Sequence, residues 1–121
     1  MTQDIVILYI DDEPINILLF ELNFKRKFNV LTATSGSGGL EKMASNPEIK
    51  VVISDMKMPE MNGIEFIKLA KQQYPLVAYY ILTGFDMTEE IESALKSQLI
   101  KRYFNKPFNM NEICNAIESI V

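Results

Sequence analysis

Among the sixteen acidic residues of this 121-residue chain, Asp11-Asp12-Glu13 and Asp55 each follow a short apolar run, and a hydroxyl at Thr83 and an ammonium group at Lys106-Pro107 do the same farther along. If the fold gathers them, the acids must be neutralised, because unit charges about 4 Å apart at an effective dielectric near 20 repel by around 4 kcal/mol. Carboxylate oxygens suit a hard divalent cation, Mg2+ or Mn2+, whereas zinc would usually call for His or Cys, and the chain has no His. Lys106 would add positive charge from another side. Any one of these acids alone reads equally well as a solvated loop residue or a helix cap. Asp12 or Glu13 could serve a helix N-terminus, where negative charge is favoured by about 0.3–1 kcal/mol. A cap needs one acid, and it leaves Asp55, the hydroxyl and the lysine unexplained.

The elements that must position these residues alternate along the whole chain. Short β-branched apolar runs at Ile5–Ile10, Phe28–Ala33, Val51–Ser54, Ala78–Leu82 and Ile100–Phe104 read as strands. Between them lie amphipathic segments. After Pro14, Ile15, Leu18, Leu19 and Leu22 fall at the spacing of one buried face, predicting a first helix to about Lys27. A Ser/Gly-rich joint, Ser35–Gly39, leads to a short helix ending near Asn46-Pro47. Asn62 with Glu65 predicts a capped third helix, with Ile64, Ile67, Leu69 and Ala70 inward, ending at Tyr74-Pro75. Asp86 or Thr88 would cap the fourth, with Ile91, Ala94 and Leu95 inward. Asn109 with Glu112 opens the last, over Met110, Ile113, Ala116, Ile117 and Ile120. Five βα units imply parallel strands with helices on both faces, a doubly wound α/β sheet. Ligands of such sheets bind beyond the carboxyl ends of the strands, where all the groups named above stand.

With 48% apolar residues the chain fits one domain, residues 1–121. Sixteen acidic against twelve basic side chains give a net charge of −4, with no basic stripe suited to a nucleic-acid backbone. No apolar run approaches the roughly 20 residues that span a bilayer, and Met1 to Ile10 carries no basic stretch before its apolar run, so a soluble, cytoplasmic protein is expected. Cys114 sits in an apolar helical pattern and reads as a small core residue. The Ser35–Gly39 run holds neither a dinucleotide fingerprint nor a P-loop. The seven methionines, among them Met56, Met58 and Met61, read as core filler.

Four segments, Ile7-Leu-Tyr-Ile-Asp-Asp-Glu13, Ser54-Asp-Met-Lys-Met-Pro-Glu-Met-Asn-Gly63, Leu82-Thr-Gly84 and Asn105-Lys-Pro-Phe108, resemble the signature segments of response-regulator receiver domains of two-component signalling, in order and spacing across essentially the whole chain. The resemblance implies a flavodoxin-like sheet of strand order 2-1-3-4-5. It implies Asp55 as phosphoacceptor, Asp12 as direct cation ligand, Asp11 as a ligand through water and the Lys57 carbonyl as another. Thr83 and Lys106 would hold phosphoryl oxygens, Tyr103 would report the state of Thr83 by its rotamer, and the Lys106-Pro107 bond would be cis. Such a protein is a phosphoacceptor switch assisting its own phosphorylation and dephosphorylation rather than a conventional enzyme. Its donor would be the phosphohistidine of a sensor histidine kinase or phosphotransfer protein, and its helix 4–strand 5–helix 5 surface would serve an output, a partner or a homodimer. An ionised aspartate needs no general base, which agrees with the absence of His.

Lys57 and Phe85 stand at positions bordering the route of attacking water and are expected to influence phosphoryl lifetime, beside a bland reading as an exposed cation and a half-packed ring. Gly84 keeps the segment after Thr83 free of side-chain bulk. Two other functions compete. An aspartate-nucleophile phosphatase would carry Asp-x-Asp after strand one, where this chain has Asp-Asp-Glu-Pro. A receiver-shaped interaction module that no longer uses phosphate would not require Asp55, Thr83 and Lys106 together.

Overall fold

The computed structural model describes residues 5–84 and 88–120. Five strands, β1 (Val6–Ile10), β2 (Asn29–Ala33), β3 (Ile49–Asp55), β4 (Ala78–Thr83) and β5 (Arg102–Asn105), alternate with helices α1 (Pro14–Phe24), α2 (Gly36–Ser45), α3 (Gly63–Gln73), α4 (Glu89–Lys96) and α5 (Met110–Glu118). All pairings are parallel, and the order is β2-β1-β3-β4-β5, as expected. Composition sets this order. β1 and β4 are buried at every position and β3 at all but Lys50, as central strands covered on both faces must be, whereas β2 and β5 leave residues exposed at the edges.

Period-two alternation divides the core into two layers. Ile7, Tyr9, Val51, Ile53, Tyr80 and Leu82 point to one side, where α1 and α5 supply Phe20, Phe24, Ile113 and Ile117. Val6, Leu8, Ile10, Val52, Tyr79 and Ile81 point to the other, against Met43, Ile64, Phe66, Ile67 and Ile91 of α2, α3 and α4. Cys114 is buried in the first layer.

Several boundaries and one face differ from the sequence reading. The face of α1 is the reverse of that expected: Ile15, Leu18, Leu19 and Leu22 are 69%, 56%, 46% and 53% exposed, while Phe20 and Phe24 are fully buried. The helix is apolar nearly all round, and the aromatic rings take the sheet because each buries more area than a Leu or Ile. Phe20 stacks flat on Tyr9, ring centroids 4.1 Å apart, and lies 4.4 Å from Phe24. Helix α1 ends at Phe24, with a turn over Lys25–Lys27. The Ser/Gly joint is the opening turn of α2, whose cap is Ser35 accepting from the Gly38 N–H. Leu69 of α3 is 43% exposed, and Phe66 occupies the inward position instead. The capping box of Asn62 and Glu65 is present. Thr88 caps α4; Asp86 and Phe85 lie outside the described residues.

Candidate functional site

Sheet register aims the chemistry at one place. Asp55 ends β3 opposite Leu82, Thr83 ends β4 opposite Asn105, and Lys106 follows directly on β5. The Lys106 N–H donates to the Thr83 carbonyl at 2.7 Å, extending the pairing one residue past the strand. β1 lies beside β3, with Ile10 opposite Ser54, so Asp11 and Asp12 emerge next to Asp55. Asp55 and Thr83 are thus the terminal residues of their strands, which run one residue past the ends, Ser54 and Leu82, that the sequence reading gave them.

Carboxylate oxygens of Asp11, Asp12 and Asp55 lie within 4.8 Å of one another. Asp11 is fully buried and Asp55 nearly so. Lys106 reaches in from the opposite side: its Nζ is 2.9 Å from Asp55 Oδ1 and 3.4 Å from Asp11 Oδ2. The Lys106-Pro107 peptide is cis, as the sequence implied. Burial raises the Asp55 carboxyl above its usual range; the hydrogen bond from Lys106 opposes this, and the charge of Asp11 adds to it. Burial works against the Lys106 ammonium, but its hydrogen bond and attraction to Asp55, with Asp11 contributing, outweigh that and hold it above its usual value. One ammonium group thus serves more acid than it can neutralise. An all-oxygen, partly buried donor set in charge deficit fits a small hard divalent cation, held by Asp11, Asp12 and Asp55 with room for water.

Two positioning residues were missed by the sequence reading. The Tyr9 hydroxyl donates to Asp11 Oδ2 at 2.6 Å, fixing that buried carboxylate while Phe20 stacks on its ring. The clue was available: residues two apart on a strand share a face, and a buried Tyr needs a partner for its hydroxyl. Burial, followed by the hydrogen bond to Asp11, drives the Tyr9 phenol far above its ordinary pKa, so it remains a donor. The second is Gly63. A Cβ there would collide with the Asp55 carbonyl and the Ile81 side chain, and its N–H donates to the Met56 carbonyl at 2.9 Å. That contact ties the start of α3 to the acceptor strand, across a loop in which Glu60 takes a left-handed φ of 69°.

Thr83 is 1% exposed at the wall of the site, Tyr103 is half-buried on β5, and Lys57 is exposed. A cleft of about 620 Å³ opens between the acceptor loop and α4, lined by Met56, Lys57, Asn62, Thr83, Thr88 and Glu90 among others. A second, of about 330 Å³, lies between α1 and the β5–α5 loop, lined by Tyr9, Asn16, Leu19, Lys106, Pro107 and Phe108 with Leu82. The first cleft borders Thr83 and the second Lys106, the neighbours of Asp55 on either side. Among the described residues no helix is long and apolar enough to cross a membrane.

A family model described as the response regulator receiver domain matches residues 7–118. The chain is 31% identical over 117 residues to the alkaline phosphatase synthesis transcriptional regulatory protein PhoP of Bacillus subtilis (strain 168), covering 95% of this chain and 48% of that protein. It is 30% identical over 95 residues to a chemotaxis protein CheY homolog of Campylobacter jejuni, covering 77% and 72% of the two chains. Among solved structures, a response regulator receiver domain protein from Clostridium thermocellum matches with a TM-score of 0.89 at 32% identity, covering 96% of this chain and 93% of that one. The chain thus spans about half the length of PhoP.

Proposed function

The chain belongs to the response regulator receiver domain family, and from that premise we propose that it takes a phosphoryl group from a phosphohistidine onto Asp55 in a Mg2+-dependent reaction and changes surface shape in consequence. The observation that carries the proposal is the buried Asp55 carboxylate held 2.9 Å from Lys106 and clustered with Asp11 and Asp12 at the ends of β1, β3 and β5. A bound Mg2+ or Mn2+, held by Asp11, Asp12, Asp55 and the Lys57 carbonyl, would supply positive charge against the phosphoryl oxygens. Asp55 is the nucleophile: an oxygen–phosphorus bond forms as the phosphorus–nitrogen bond to the donor breaks, and the histidine nitrogen leaves with the electron pair. Lys106 stays beside the transferring group and neutralises a second equatorial oxygen, which is most of what such transfer requires of a protein. Tyr9 and Gly63 hold Asp11 and the acceptor strand in place. Water later attacks the acyl phosphate, with Lys57 at the edge of its route. The protein is on this reading a phosphoacceptor switch rather than an enzyme with an external product.

Newly added charge would draw the Thr83 hydroxyl inward and leave space for the Tyr103 ring, biasing an existing equilibrium of the α4–β5–α5 face toward a form that engages an output or partner. The donor class is a sensor histidine kinase or phosphotransfer protein, which this chain would meet in the cytoplasm. To test the core of this reading, the protein and an Asp55→Asn variant are incubated with a small acyl phosphate or phosphoramidate, with and without Mg2+, and weighed intact. We expect a Mg2+-dependent phosphoryl adduct on the wild type alone. No adduct where a control receiver is labelled would overturn the assignment and favour a phosphate-independent binding module.

A further inference from the structure

Asp11 has little acceptor capacity left to offer a metal ion. Its Oδ2 accepts from the Tyr9 hydroxyl at 2.6 Å and from Lys106 Nζ at 3.4 Å, and its Oδ1 accepts from the Glu13 N–H at 3.0 Å. A carboxylate has about four acceptor positions over its two oxygens, so one remains here, on Oδ1. We propose that Tyr9 is a metal-selectivity residue: by holding Asp11 Oδ2 it denies the site a two-oxygen grip from Asp11 and so favours Mg2+ over Ca2+. The inference rests on the cation site of the proposed function and is independent of phosphoryl transfer.

The two ions ask for different surroundings. Ca2+ takes about six to eight oxygens in a flexible shell and commonly uses both oxygens of a carboxylate, whereas Mg2+ requires a compact octahedron and keeps several waters. Asp55 is restrained as well, since its Oδ1 lies 2.9 Å from Lys106 Nζ. Two of the three carboxylates in the cluster therefore have an oxygen committed to a donor, which suits an ion that completes its shell with water.

Of the donors to Asp11, Tyr9 is the one that an entering ion cannot push aside. It is 1% exposed, and Phe20 stacks flat on its ring with centroids 4.1 Å apart and planes within 3°. Phe20 is backed in turn by Phe24 at 4.4 Å and Phe108 at 5.8 Å. Lys106 is partly exposed on a flexible stem, makes the longer contact, and is repelled by a cation, so it yields first. The Glu13 N–H is fixed by the start of α1 at Pro14. Tyr9→Phe keeps the ring and its stack and removes only the hydroxyl, leaving Asp11 able to turn both oxygens toward a larger ion.

Amide chemical-shift titrations of the metal-free protein with Mg2+ and with Ca2+ give the two dissociation constants without any phosphoryl donor. The wild type should prefer Mg2+. Donors that orient metal-holding groups are worth about 10–100-fold in affinity, so Tyr9→Phe should weaken Mg2+ by about tenfold while Ca2+ changes by less than about threefold. The preference should thus move toward Ca2+ by at least about threefold, and Tyr9→Leu, which also lacks the donor, should move it the same way. In an Asp11→Asn background Tyr9→Phe should leave the ratio of the two constants unchanged, because the effect runs through Asp11. Equal weakening of both ions would overturn the proposal and leave Tyr9 a packing residue, as would a shift that persists beside Asp11→Asn. A wild type that binds neither ion would overturn the cation site and the selectivity together. Failure of Asp55 labelling in a protein that binds Mg2+ and discriminates as expected would count against the phosphoacceptor reading alone.

Discussion

Helices α1 and α5 lie on the same side of the sheet and share one core layer, yet they are built on opposite plans. α5 is cleanly amphipathic: Ile113, Cys114, Ala116 and Ile117 are buried, while Asn111, Glu112, Asn115 and Glu118 face water. α1 has apolar residues at both its inward and outward faces, so burial of one face leaves the other exposed. A helix with a single apolar stripe has one docking solution, and α5 has only that demand. A helix with two stripes needs a further device to choose between them, and keeps an unburied stripe afterwards. In α1 the device is aromatic: Phe20 sits flat on Tyr9, and Phe24 lies 5.6 Å from Phe108 at the entry to α5.

The largest expected effect follows from this. Phe20→Ala should lower unfolding free energy by about 3–5 kcal/mol, because it removes a fully buried ring from between two others and leaves a cavity. Leu18→Ala, two residues away on the exposed face, should stay within about 0.5 kcal/mol. Urea denaturation of both variants at equal slope measures the contrast. Similar losses for the two would mean that α1 docks by both faces and that the distinction from α5 is false.

The same contrast explains what the sequence could and could not tell. The period-3.6 pattern of α5 and its Asn109 cap were legible because no rival pattern competes. In α1 the 15-18-19-22 spacing and the 17-20-24 spacing are both helical, and periodicity has no term for the flat stacking of one ring on another across β1. Burial of Leu69 was misjudged for the same reason, with Phe66 taking its place. At the site, Asp11, Asp12, Asp55, Thr83 and Lys106 were legible because parallel strands deliver whatever follows them to one end of the sheet. Gly63 was not, since its importance is a close approach to the Asp55 carbonyl, and close approaches leave no spacing in a sequence.

The two units also bring opposite charges to Asp55, β1–α1 the acids and β5–α5 the lysine, and acid titration reads the balance. Burial and Asp11 hold the folded Asp55 carboxyl above its ordinary 3.8. The folded state therefore binds more protons than the unfolded chain between that value and the raised one, and stability falls as pH rises through the window. Asp55→Asn carries no such group. With divalent cations chelated, its melting temperature should exceed that of the wild type by more at about pH 7 than at about pH 4. Added Mg2+ should narrow the difference at the higher pH by stabilising the wild type selectively. A difference independent of pH would mean that Lys106 alone balances the acids.

The smallest effects concern how the two helices begin. α5 opens with Asn109, whose side chain accepts from the Glu112 N–H at 3.0 Å. α1 opens with Pro14 at its first position, and Glu13 makes no side-chain cap bond. A proline lacks one of the N–H groups that a cap would have to satisfy, and its fixed φ already suits the helix. Asn109→Ala should therefore cost about 1 kcal/mol by urea denaturation, and Glu13→Ala a few tenths at most. Because Asn109 follows Lys106 by three residues, fraying at the start of α5 should also loosen the lysine and slow acyl-phosphate labelling of Asp55. Equal costs for the two changes would show that α1 depends on Glu13 for its start, which would remove the second of the two differences between these helices and leave their apolar patterning as the only one.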